Sequence, residues 1–75
     1  MTYYDETQQA YDEQIITLNT LFSIKAQLTN QDLLASCEGK IQECRDLLQV
    51  YQTKMSNIQM AQNMGFSDEQ MRKFI

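Results

Sequence analysis

The sequence predicts an all-α protein: an antiparallel, coiled-coil-like helical hairpin followed by a short third helix, dimerising into a helical bundle. Three observations predict it. The 75 residues contain no proline and only two glycines, and the rest are mostly residues that lose little rotamer freedom in a helix. Apolar residues recur at alternating steps of three and four through the second half of the chain, which is the heptad pattern of a helix packing on another helix. Two short breaks divide the chain into three stretches.

The expectation of dimerisation comes from size. A chain this short hides only about 60% of the surface its unfolded form exposes. Ordering costs roughly 1.5 kcal/mol per residue, which nearly cancels the gain from one seam of core side chains. Two helices alone are marginal, and apolar residues off the seam (Ile16, Leu21, Ile24, Leu33, Leu47) would leave a strip in water that a four-helix bundle covers.

Helix one is expected over about 5–28. Tyr4, Tyr11, Ile15, Leu18 and Phe22 form its stripe, which Leu21, Ile24 and Leu28 then shift sideways. Thr29-Asn30-Gln31-Asp32 reads as a tight turn, with Asn30 tolerant of a left-handed conformation and Thr29 spaced from Asp32 as at a helix start. Helix two is expected over about 33–63. Its seam is Leu34, Cys37, Ile41, Cys44, Leu48, Tyr51, Met55 and Ile58, flanked by Leu33, Leu47 and Ala61.

Folding back at the turn sets residues against each other whose numbers have a nearly constant sum. Leu28 then faces Leu34, Phe22 faces Ile41, Leu18 faces Cys44, Ile15 faces Leu48, Tyr11 faces Tyr51 and Tyr4 faces Ile58. Lys25, opposite Cys37, breaks the apolar register. Met64-Gly65-Phe66-Ser67 reads as a helix stop joined to a helix start: Gly65 takes the left-handed C-terminal position and Ser67 the N-cap. Gln70 completes a capping box, Phe66 and Met71 are spaced for a hydrophobic staple, and acids precede bases as the helix dipole prefers. Helix three is expected over about 68–74. The whole chain is one helical domain.

Function is bounded mainly by exclusion. The net charge is −4, with ten acids against six bases, and no basic cluster exists to displace counterions from a phosphate backbone, which argues against nucleic acid. The polar, acidic start carries no secretory signal pattern and no window approaches membrane-spanning length, so a cytoplasmic location without membrane contact is expected. Histidine is absent, as are phosphate-binding loops, Cys-x-x-Cys pairs and nucleophile-elbow motifs, so neither an enzyme nor a cofactor or metal site is expected. Cys37 and Cys44, about 10 Å apart along one helix, cannot bridge each other. They read as small buried hydrophobes rather than redox sensors. The acidic pairs Asp5-Glu6 and Asp12-Glu13 read as a solvated face, and mid-helix Gly39 as tolerated on a solvent face.

What remains is binding of another protein. Met60, Met64, Phe66, Met71, Phe74 and Ile75 cluster methionines with aromatics, a mixture over-used on surfaces that accept partner helices. The competing reading is a plug that closes the open end of the bundle. The stretch Met60-Ala61-Gln62-Asn63-Met64-Gly65-Phe66-Ser67-Asp68-Glu69-Gln70-Met71-Arg72-Lys73-Phe74-Ile75 resembles the first helix, Met-Gly-Phe loop and second helix of a ubiquitin-associated domain, which implies ubiquitin contact through Met64, Gly65 and Phe66. It is also similar to the helix-Gly-x-Ser-helix dimerisation element of Sin-type repressors and antirepressors, which implies hetero-association that disables a regulator. The sequence therefore predicts a small regulator, inhibitor or chaperone-like adaptor. Its alternatives are a structural homo-oligomeric bundle and a binder of ubiquitin-like modifiers.

Overall fold

The computed structural model describes all 75 residues. It consists of α1 (Tyr3–Lys25), α2 (Gln31–Asn63) and α3 (Asp68–Phe74), arranged as a rod of 52 × 18 × 15 Å. The first two helices pack along their length as an antiparallel hairpin and α3 folds back at its open end. No helix is long and apolar enough to cross a membrane.

Each helix start is set by a side-chain cap. Thr2 accepts from the Asp5 N–H while Asp5 reaches back to the Thr2 N–H, a reciprocal box that begins α1 two residues before the expected position and satisfies N–H groups the helix leaves open. At the other end Ala26 is the C-cap. The Gln27 N–H bonds Ile24 O and the Leu28 N–H bonds Lys25 O, so the chain tightens out of α1 three residues earlier than expected.

The turn differs in its chemistry from the expectation. Asn30 is not left-handed (φ −78°, ψ 127°) but is itself the N-cap of α2, its side chain accepting from the Asp32 and Leu33 N–H groups. Asparagine outranks threonine at an N-cap, so Asn30 takes the role expected of Thr29 and α2 starts at Gln31.

Along α2 the expected seam turns inward without exception. Cys37, Ile41, Cys44, Met55 and Ile58 are buried, and Leu34, Leu48 and Tyr51 are half-buried. The next inward residue is Ala61, at 9% exposure.

On α1 the stripe needs correction. Tyr4, Tyr11, Ile15 and Leu18 are half-buried, but Phe22 is 40% exposed and does not meet Ile41 as core. Leu21 takes the inward place, and its carbonyl accepts from the Cys37 thiol at 3.4 Å. The ring of Phe22 lies to one side under the Arg45 guanidinium, 5.7 Å from it. The inward row of α1 is thus a heptad row of its own, Tyr4, Thr7, Tyr11, Gln14, Leu18, Leu21 and Lys25, with three polar members. Thr7, 4% exposed, donates its hydroxyl proton to Tyr3 O at 2.9 Å. That removes the roughly 1–3 kcal/mol penalty of an unbonded buried hydroxyl. Lys25 leans out to Glu38 at 3.3 Å, an exposed pair of small energetic weight.

The register is that of the constant sum. Gln59 Nε2 donates to the Tyr4 hydroxyl at 3.4 Å near one end, and Lys25 meets Glu38 near the other. Only eight of the 75 residues are buried, so the hairpin holds itself together along one seam and little else.

Candidate functional site

The C-terminal end is where the chain does more than extend the hairpin. At the end of α2 the Phe66 N–H bonds Ala61 O and the Gly65 N–H bonds Gln62 O, each at 3.0 Å. This is the six-to-one and five-to-two pattern that closes a helix around a left-handed residue. Gly65 supplies that residue, at φ 89°. Ser67 then accepts from the Gln70 N–H at 3.2 Å, while Gln70 Oε1 accepts from the Ser67 N–H at 2.9 Å. Stop and start abut, and α3 is turned back onto the hairpin.

Met71 is the residue that α3 buries. It is 2% exposed and packs with Ile58 and Ala61, with Tyr3 and Tyr4 beside them. A polar clamp surrounds this contact. Asp68 accepts from the Tyr3 N–H at 2.7 Å, and Arg72 reaches Asp68 at 2.9 Å and Glu6 at 2.5 Å. Two cations lie over the Tyr3 ring, Lys54 at 4.5 Å and Arg72 at 5.1 Å, both inside the range of cation–π attraction. The Tyr3 N–H, and after it Arg72, holds the Asp68 carboxyl below the usual carboxylate range. Hydrogen bonds to Glu6 and then Asp68 raise the Arg72 guanidinium further. Glu6, expected on a solvated acidic face, is therefore a clamp residue.

Beside the clamp lies a cleft of about 390 Å³ lined by Ala61, Phe66, Gln70, Met71, Phe74 and Ile75. Of the six residues expected to meet a partner, the structure gathers four here, in different roles. Met71 is floor and core. Phe66, Phe74 and Ile75 are walls, 41%, 78% and 36% exposed. Met60 and Met64 are well exposed at the end of α2 but do not line the cleft. Plug and exposed surface thus share one short helix. Ala61, expected beside the seam, and Gln70, expected in the capping box, also line the cleft.

No titratable side chain lines the cleft, and no three His, Cys, Asp or Glu side chains converge anywhere to hold a metal ion. Cys37 and Cys44 are free and buried inside the seam. A second, shallower depression of about 240 Å³ lies near the turn, between Leu21, Ile24 and Leu28 on one side and Leu33, Ser36 and Lys40 on the other. No family model, no curated protein and no solved structure matches this chain, so the likenesses of residues 60–75 stand as likenesses of a motif.

Proposed function

We propose that this protein is a non-enzymatic protein–protein interaction module, a small regulator, inhibitor or adaptor that seats the apolar face of a partner helix in the α3 cleft. The observation that carries the reading is Phe74, 78% exposed at the wall of a cleft whose floor, Met71, is 2% exposed. Fully burying such a side chain is worth about 1.5–3 kcal/mol, and nothing within the chain collects it. A helix laid in an apolar groove, anchored by a few side chains at helical spacing, is a common mode of recognition. The clamp supports the same reading, because it fixes α3 without using the cleft.

The test is affinity capture from the native host with the wild-type chain and Phe74→Ala side by side, each checked by circular dichroism. Phe74→Ala should lose the partner and keep its helicity. Loss of helicity would make Phe74 a core residue and end the proposal. The Met-Gly-Phe resemblance favours ubiquitin-like modifiers as one class of partner, since Met64 and Phe66 stand exposed on either side of Gly65. Amide signals of residues 64–66 that stay unshifted on titration with ubiquitin would remove that class.

A further inference from the structure

A second heptad row runs along α2 beside the seam. Leu33, Ser36, Lys40, Glu43, Leu47 and Val50 follow one another in alternating steps of three and four, and the row continues to Lys54 and Ala61. The chain itself covers only the far end of this row. Lys54 sits on the Tyr3 ring, and Ala61, 9% exposed, packs with Met71 of α3. From Leu33 to Val50 the row is bare: Leu33 is 55%, Leu47 39% and Val50 58% exposed. Lys40 and Glu43 are exposed and enter none of the chain's three ion pairs.

The geometry points to a second copy of this chain as the occupant of that row, its α2 antiparallel to the first across a two-fold axis beside Ile41 and Gln42. Such an axis demands a self-complementary patch, and the row is one. Leu33 falls opposite Val50 of the partner subunit, Ser36 opposite Leu47 of the partner subunit, and Lys40 opposite Glu43 of the partner subunit. Each pairing occurs twice. The two central ion pairs set the register and the leucines and valines flank them, as in an antiparallel helix interface. The resulting four-helix arrangement leaves both α3 clefts uncovered at opposite ends, about 60 Å apart from the helical rise, so the assembly would present two binding sites.

Sedimentation equilibrium of the full chain over a range of concentrations, with helicity followed in parallel, tests this. The wild type should sediment at twice 8.8 kDa. K40E and E43K each replace two attractions by two repulsions between exposed groups and should weaken the dimer about tenfold. The double variant K40E/E43K should return to within about twofold of wild type, since it restores both pairs with reversed sign. A chain that stays monomeric to millimolar concentration overturns the inference, and so does a dimer indifferent to the single variants or not rescued by the double one. The capture experiment with Phe74→Ala reads the other surface, so either proposal can fail alone.

Discussion

The two ends of the rod are built differently. At the open end three elements meet: Ile58 is completely buried, Met71 closes over it, and a hydrogen bond joins Tyr3 to Asp68, 65 residues away in sequence. At the turn end two helices meet alone. Leu28 and Leu34 are half-buried, Ile24 and Leu33 are about half exposed, and the polar links are the exposed pair Lys25–Glu38 and the Cys37 thiol donated to Leu21 O. A hairpin needs little at its turn, because the short connection already keeps the helices together at small entropic cost. It needs a fastening where the helices would otherwise fray apart. The third helix is that fastening, and the turn end is left with spare apolar surface.

The sharpest way to break this contrast is to truncate one core residue at each end. Ile58→Ala should cost about 2–5 kcal/mol, the range for fully buried isoleucine, enough to unfold much of a domain this small. Leu34→Ala, half-buried and near the turn, should cost less than half as much. Chemical denaturation followed at 222 nm compares them, and equal losses would dissolve the distinction.

Gly65→Ala probes the fastening without touching the core. A Cβ there meets nothing within 4 Å, yet the residue sits at φ 89°, where an L side chain is strained by about 1–2 kcal/mol. The thermal midpoint should fall, whereas Gly39→Ala, mid-helix with equally open space, should raise it by about 0.5–1 kcal/mol equivalent.

The smallest effect is the dependence of the clamp on pH. The folded pKa of Asp68 lies below its ordinary value, so the unfolded chain binds this proton more readily. The stability contributed is complete above the unfolded value, about pH 4, and is lost as pH falls through the lowered folded value. In Asp68→Asn the acid limb of the stability profile should be shallower. An unchanged slope would mean that the clamp does not titrate as a unit.

How much of this was legible in the sequence depended on how local the cause was. The junction at 64–67 could be read residue by residue, since a left-handed glycine and a capping box are decided within a few peptide units. The turn at 29–32 was harder because two caps competed: Thr29 has the right spacing to Asp32, but Asn30 is the stronger acceptor and won. The Thr2–Asp5 box has that same spacing and does cap its helix. Phe22 and Leu21 show a different limit. Adjacent apolar residues on one helix are both near the seam, and the choice between them belongs to the facing helix, which sets Cys37 against Leu21 and Arg45 over the Phe22 ring.

The amino-acid sequence by itself determined the three helices, their order, the α2 seam and the pairing register, because these follow from period, caps and a short connection. Only the tertiary structure decided that α1 places Thr7 and Gln14 in its inward row, that Tyr3, Glu6 and Lys54 serve the clamp with Asp68 and Arg72, and that Met71 is floor while Phe74 is wall. Those assignments depend on which side of a seven-residue helix meets the hairpin. That is set by contacts between residues far apart in the chain, and no local pattern encodes it.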